Sequence, residues 1–179
     1  MKVRLDKFNN DSFLPGSKIK IILWTLFSIS FLRTAFPWPM FIKRILLQVF
    51  GCKVGKGFVI KPQVNIKYPW KLIIGDYVWL GEKVWIDNLA CVEIHNNVCV
   101  SQGAMLLTGN HNYKKSTFDL KLGNIVLKNG VWIAAKSVVC PGVVCEENSM
   151  LSVLSLATKN LSANKIYKGN PATPIKNRF

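Results

Sequence analysis

The sequence predicts an all-β solenoid with a helical segment before it and one extruded loop. Three observations lead there. First, from Val54 onward aliphatic residues recur six positions apart: Val54, Ile60, Ile66, then Ile74, Leu80, Ile86, Val92, Val98, Ala104, then Leu127, Ile133, Val139, Cys145, Leu151, Ala157. Second, a small or polar residue often follows the aliphatic one, as at Gly55, Gly75, Gly81, Ala134 and Ser152, and Val or a small residue often sits four after it, as at Val64, Val78, Val84, Ser137, Val143 and Ser149. Third, the rhythm breaks between Ala104 and Leu127, around the polar stretch LLTGNHNYKKSTFDLKL at 106–122.

A period of six suits neither an amphipathic helix nor the strand spacing of a sandwich. It fits a coil in which each hexad supplies one short strand and one corner, with the aliphatic side chain stacked inward. With three hexads to a coil, the series divides into coils beginning near Val54, Ile74, Val92, Leu127 and Cys145. Residues 68–71 add two positions as a small bulge. The stretch between Ala104 and Leu127 must leave the coil, and loops held on rigid frames commonly carry function.

The chain therefore divides into an N-terminal helical and apolar segment (1–53), the solenoid (54–162, with its loop at about 109–124) and a basic C-terminal tail (163–179). Ile21 to Leu32 is apolar and uncharged. As a helix it reaches about 18 Å, short of a hydrocarbon core of roughly 30 Å. It either packs on the scaffold or lies in a membrane interface. Beyond Pro37-Trp38-Pro39, residues Ile42, Ile45, Leu46 and Val49 form one apolar helical face, with Lys43 and Arg44 pointing elsewhere and Gly51 available to stop the helix.

Composition narrows the function. The chain has 179 residues, enough for one domain, and half are hydrophobic, which excludes disorder as the default. Lys and Arg number 24 against 9 Asp and Glu, a net charge of +15. That excess favours an anionic partner, a membrane surface or a phosphate-rich ligand. It forms no dense basic run, so nucleic acid is not indicated. Cys52, Cys91, Cys99, Cys140 and Cys145 contain no CxxC pair, which suits reduced thiols in a cytoplasmic protein and gives no zinc site. No cleavable signal is evident.

The hexads IGDYVW, LGEKVW, LKNGVW and IAAKSV, with CPGVV after them, resemble the hexapeptide-repeat acyltransferases. More narrowly, YPWKLIIGDYVWLGEKVWIDNLACVEI, the loop LLTGNHNYKKSTFDL and the tail IYKGNPATPIKNR resemble the colanic-acid-type acetyltransferases, relatives of the maltose, galactoside and nodulation enzymes. The resemblance implies a left-handed parallel β-helix, a homotrimer with sites at subunit interfaces, and acetyl-CoA as co-substrate. The reaction implied is O-acetylation of a sugar hydroxyl in a cell-surface polysaccharide or its precursor; the basic charge and the apolar entry segment suit an acceptor held at the cytoplasmic face of the membrane, with peripheral contact. An N-acetyltransferase acting on an amino sugar and a non-catalytic scaffold at the membrane surface are the alternatives.

Such a transfer needs a base for the hydroxyl proton and a donor for the tetrahedral oxyanion. Imidazole suits the first task, since its ordinary pKa of about 6.5 leaves much of it neutral near pH 7. His111 matches the family's catalytic loop histidine. His95, in the corner EIHNN, reads as structural or exposed. Two histidines are too few for the zinc site of the related hexapeptide carbonic anhydrases. Asp87 and Asn88 match the family's polar corner that meets the acceptor or arranges the base, although turns favour Asp and Asn for local reasons too. Asn110, Tyr113, Phe118 and Asp119 are candidates for the acceptor pocket, with Asp119 also a candidate partner for His111. For acetyl-CoA the matching positions are Ala135, Val153, Thr158 and Lys159, with Lys176 and Arg178 (and more weakly Lys168) facing phosphate. One corner departs from the family: SVLS at 152–155 stands where many relatives carry GAGS, and Val153 and Leu154 crowd a place that small residues leave open.

Overall fold

The computed structural model describes residues 2–10 and 13–179, and in it the hexads wind into a parallel solenoid with three faces. The first coil carries β1 (Lys53–Val54), β2 (Val59–Ile60) and β3 (Asn65–Ile66); the second β4 (Leu72–Ile74), β5 (Trp79–Leu80) and β6 (Trp85–Asp87); the third β7 (Val92–Ile94), β8 (Cys99–Val100) and β9 (Met105–Leu107). A hairpin, β10 (Gly109–His111) and β11 (Leu120–Leu122), interrupts the winding. The fourth coil then carries β12 (Ile125–Leu127), β13 (Trp132–Ile133) and β14 (Val138–Val139), and the fifth β15 (Val144–Cys145), β16 (Met150–Leu151) and β17 (Leu156–Ala157). Leu161 begins a sixth by bridging Cys145, and β18 (Lys165–Gly169) and β19 (Ala172–Asn177) follow. The faces run β1-β4-β7-β12-β15, β2-β5-β8-β13-β16-β18-β19 and β3-β6-β9-β14-β17. Residues 163–179 thus extend the second face, where β18 pairs with β16 and β19 folds back on β18.

Strand register corrects the predicted stacking. Ile74 pairs with Ile94 and Ile94 with Leu127; Leu80, Val100 and Ile133 form the second column; Ile86, Leu106 and Val139 form the third. The columns pass through Ile94, Val100 and Leu106, not through Val92, Val98 and Ala104. Both sets are fully buried, because the residue two before each column also points inward. Two consecutive inward positions of like character make the registers hard to tell apart by spacing. The slip comes from two extra residues between Ile86 and Ile94, matching those between Ile66 and Ile74.

At the six-residue corners the third residue after each column position is left-handed. Gly57, Gln63, Tyr77, Lys83, Asn97, Gly103, Gly130, Lys136, Gly142, Asn148, Leu154 and Asn164 all have φ between 55° and 81°. This conformation costs a residue with a Cβ about 1–2 kcal/mol. The stacked backbone offsets it: Tyr77 N donates to Lys56 O (2.8 Å), Asn97 N to Asp76 O (2.9 Å) and Leu154 N to Ala135 O (3.1 Å).

The corner that returns the chain from the third face to the first is different in the first three coils. There the staples are side chains. Asn88 is fully buried; its Oδ1 accepts from Tyr68 N (2.9 Å) and its Nδ2 donates to Tyr68 O (2.6 Å). One coil on, Thr108 Oγ1 donates to Asp87 O and accepts from Ala90 N, both at 2.9 Å.

The N-terminal segment packs beside the first coil. Helix α1 (Lys18–Phe27) runs into a wider turn at 28–32 and buries Trp24, Ser28 and Leu32, with Trp24 Nε1 donating to Ile66 O at 2.8 Å. Helix α2 (Met40–Val49) is rotated from its predicted face: Leu46 packs against the core and Ile42 is half-buried, but Ile45 and Val49 turn outward. Lys43 and Leu47 point in, Lys43 at 1% exposure, while Ile45 is 53% and Val49 73% exposed. The alkyl stem of Lys43 supplies apolar contact. Burial pushes its ammonium pKa down, and the charge of Lys61 pushes it further. Among the described residues no helix is long and apolar enough to cross a membrane. All the cysteines are free thiols, and burial pushes the pKa of Cys52 and of Cys145 up to about 12, which leaves both protonated.

Candidate active site

The hairpin that holds His111 springs from the third coil immediately after Thr108. Its root is tight, since a Cβ on Gly109 would come within 2.5 Å of Leu89 Cδ1. The strands pair Gly109 with Leu122, Asn110 with Lys121 and His111 with Leu120, and Asn112 N donates to Asp119 O (2.8 Å) across the turn. Phe118 takes a left-handed φ of 52°, which brings its carbonyl and ring back onto the histidine.

Two contacts fix the imidazole. Its ring stacks on Phe118, centroids 4.3 Å apart and planes within 8°, and Nδ1 lies 2.8 Å from Phe118 O. A carbonyl oxygen only accepts, so Nδ1 carries the proton in that bond. The neutral ring is then protonated at Nδ1, and Nε2 keeps its lone pair. A third ring, Phe8, lies 5.8 Å from His111, and Arg4 N donates to Ser116 O at 2.8 Å, so residues 4–8 brace the hairpin. Nothing in the spacing of the sequence singles out Phe8.

Asp87 ends β6, level with Leu107 in the next coil and therefore at the root of the hairpin. Its carboxylate sits 2.9 Å from Lys67 Nζ, an ion pair that lacks hydrogen-bond alignment, rather than against His111. It lines a cavity of about 210 Å³ with Trp24, Ser28, Arg33, Lys67 and Trp85. Asn88, next in sequence, turns inward to Tyr68 and gives the cavity nothing. Asn110 is exposed, its Oδ1 accepting from His111 N at 2.8 Å, and Tyr113 projects into solvent. The Asp119 carboxylate meets Lys115 Nζ at 2.9 Å, and hydrogen bonds from Thr117 and Lys115 hold its pKa below the usual carboxylate range. The histidine is oriented by the Phe118 carbonyl, not by Asp119.

A second concavity runs over the later coils. Ala135, Val153, Lys168 and Lys176 line one groove of about 640 Å³, with Trp132, Met150, Ile166 and Ile175 as apolar wall. Thr158 belongs instead to a separate cavity of about 420 Å³ that also touches Asn110, Gly123 and Gly142, and Lys159 is exposed on the same corner. Arg178 lies outside the groove. Its Nη1 donates to Gly130 O (2.7 Å) and Asn148 O (3.2 Å), tying the C-terminus to two corners. The groove fits a long apolar arm ending in phosphate: smooth wall along its length, two ammonium groups on β18 and β19. His111 is not part of its lining. Among the described residues no three His, Cys, Asp or Glu side chains gather as a metal site would require.

No protein-family profile matches the chain. It is 36% identical over 170 residues, 93% of this chain and 91% of the other, to the Escherichia coli protein assigned as colanic acid biosynthesis acetyltransferase WcaF. It is 26% identical over 134 residues, 73% of this chain and 66% of the other, to the Escherichia coli galactoside O-acetyltransferase. Among solved structures, a hexapeptide-repeat acetyltransferase of Vibrio cholerae superposes with a TM-score of 0.82 at 16% identity, covering 90% of this chain and 92% of that one. A galactoside acetyltransferase in complex with coenzyme A superposes at 0.81 with 22% identity, covering 90% and 82%. The structural likenesses establish the shared solenoid; the sequence identity across almost the whole length establishes kinship. The chain belongs to the hexapeptide-repeat acetyltransferases, among the relatives of the colanic acid biosynthesis acetyltransferase.

Proposed function

We propose that the protein transfers acetyl from acetyl-CoA to a sugar hydroxyl of a cell-surface polysaccharide or its precursor, in the cytoplasm, with His111 as general base. The bond from His111 Nδ1 to the Phe118 carbonyl carries this reading, because it leaves Nε2 free to accept a proton. In the reaction Nε2 takes the acceptor's hydroxyl proton as the oxygen attacks the thioester carbonyl. The tetrahedral intermediate collapses, its C–S bond breaks, and the thiolate recovers the proton from the imidazolium. Positive charge on the ring strengthens the Nδ1–H bond to the carbonyl as it develops.

The cavity at Asp87 supports a sugar acceptor. It offers a carboxylate for hydroxyl groups, the indole of Trp85 for a pyranose face, and Arg33 and Lys67 for an anionic group. The groove along Ala135 and Val153 receives the pantetheine arm, and Lys168 and Lys176 meet its phosphates. Thr158 and Lys159 lie off that path, at the separate cavity beside Asn110. His111 and this groove are separate within one chain, which favours a homotrimer in which the base of one subunit meets acetyl-CoA held against its neighbour.

The test is acetyl-CoA turnover on lipid-linked and free glycans. His111→Ala is expected to lower kcat by about 10²–10⁴-fold, the range for loss of a positioned base. An alkali-labile ester product identifies O-transfer, and a stable amide would redirect the reading to an amino sugar. A mutant as active as the parent would overturn the role of His111.

A further inference from the structure

We propose that the outward faces of α1 and α2 dock the enzyme on an anionic lipid bilayer. In α1 the exposed residues Ile19, Ile22, Leu23, Leu26 and Ile29 share one helical face, opposite the buried Trp24, Ser28 and Leu32. In α2, Phe41, Ile45 and Val49 stand in a row four residues apart, opposite Lys43 and Leu47. The helices meet on their inner side through Phe50, whose ring lies 5.2 Å from Trp24 and 5.8 Å from Phe27. Ile19 is 71% and Phe41 64% exposed. Monomeric proteins seldom leave so many large apolar side chains contiguous in water.

Charge selects the occupant. From residue 13 to residue 75 there is no Asp or Glu; the cations in that span are Lys18, Lys20, Arg33, Lys43, Arg44, Lys53, Lys56, Lys61, Lys67 and Lys71. A second copy laid on this surface would oppose like charges. Anionic headgroups are drawn to it, each nearby Lys or Arg adding to the binding. Lys18 to Leu32 is fifteen residues of helix and turn, about 22 Å, which is too short to cross a core of roughly 30 Å. The segment therefore lies in the plane of the interface, apolar face inward.

The placement has a use. Trp24, Thr25, Ser28 and Arg33 wall the cavity that holds Asp87, so the helix that docks also forms one side of that cavity. A glycan on a lipid carrier would extend past α1 to reach Asp87, since Trp24 and Ser28, which wall the cavity, lie opposite the docked face. The docking itself stands apart from the catalytic reading, and the experiment keeps the two separate.

Flotation of the full chain with vesicles tests it. Vesicles of phosphatidylcholine mixed with phosphatidylglycerol should carry the protein at least about tenfold better than phosphatidylcholine alone, and high salt should erase most of the difference. Ile22→Glu with Ile45→Glu, both at exposed positions, should lower partitioning by about tenfold or more while acetyl-CoA turnover on a soluble glycan stays unchanged. Phe41→Gln with Val49→Gln is the second pair, should the first disturb folding. His111→Ala should float like the parent, so loss of catalysis and loss of docking are read independently. A parent protein that stays unbound on anionic vesicles, or charged variants that float as well as it does, would overturn the proposal. So would variants that bind normally but change the sedimentation mass of the assembly, since that result assigns the face to a second copy.

Discussion

The corners of the solenoid are of two kinds, and their difference separates stability from chemistry. Corners between faces one and two, and between two and three, are six-residue units that repeat a left-handed third position, whatever residue occupies it. Backbone bonds between coils hold them, and at the corner from face one to face two a side-chain ladder runs alongside: Asp76 Oδ1 accepts from Lys56 N, Asn96 Oδ1 from Asp76 N and Asn129 Oδ1 from Asn96 N. In the first three coils the corner from face three back to face one carries eight residues from Ile66 to Ile74, eight from Ile86 to Ile94, and twenty-one from Leu106 to Leu127; only in the fourth, from Val139 to Cys145, does it keep the six-residue form with left-handed Gly142. The longer form is held by side chains: Asn88 to Tyr68, Thr108 to Asp87 and Ala90. The irregular corner is also where Asp87 and the His111 hairpin are found. A scaffold whose other corners are over-determined can leave one free to vary.

His111→Ala is the largest expected break on the irregular side: a loss of about 10²–10⁴-fold in turnover, about 3–5 kcal/mol of barrier, with the thermal midpoint unmoved. The corresponding break on the regular side is Ile133→Ala, in the middle of a column and fully buried. It should cost about 2–5 kcal/mol of stability, read by denaturant unfolding, as core truncations of this size do. If it instead abolished turnover at full stability, the division of labour would be wrong. Asn88→Ala tests the seam between the two kinds. It strands the buried N–H and C=O of Tyr68 and should cost about 2 kcal/mol, while also lowering turnover by letting Asp87 shift. The smallest effect is expected from Leu154→Gly, which relieves a left-handed leucine at φ 57° and should add up to about 1 kcal/mol of stability. Denaturant unfolding reads it, and acetyl-CoA binding should stay unchanged, since Val153 and not Leu154 lines the groove.

Much of this arrangement is legible in the sequence, and the gaps have physical causes. The aliphatic period reveals the solenoid because stacked interior positions tolerate little else. The shift onto Val92, Val98 and Ala104 arises because positions two apart are both interior. Left-handed corners at Tyr77, Lys83 and Lys136 leave no mark, since stacking between coils overrides the preference for glycine. Lys43 points inward because its stem packs as an apolar chain, and that rotation leaves Ile45 and Val49, two of the four residues that pattern alone assigns to the core, outside. His111 stands out as a loop histidine. The feature that sets its tautomer does not, because any residue at 118 presents a carbonyl.

The excursion that carries His111 can also be weighed as a matter of chain closure. Coil-to-coil pairs elsewhere join residues sixteen to twenty apart, as Cys145 with Leu161, Val126 with Val144 and Ile74 with Ile94, whereas Val92 pairs with Ile125 across thirty-three. Lengthening a loop by that ratio costs only about 0.5 kcal/mol of closure entropy. Hairpin β10–β11 closes on itself, so even that small cost is partly met locally. The fold can therefore exchange or extend this one loop at almost no thermodynamic penalty, and related solenoids could diverge in what they acylate while the rest of the winding stays unchanged.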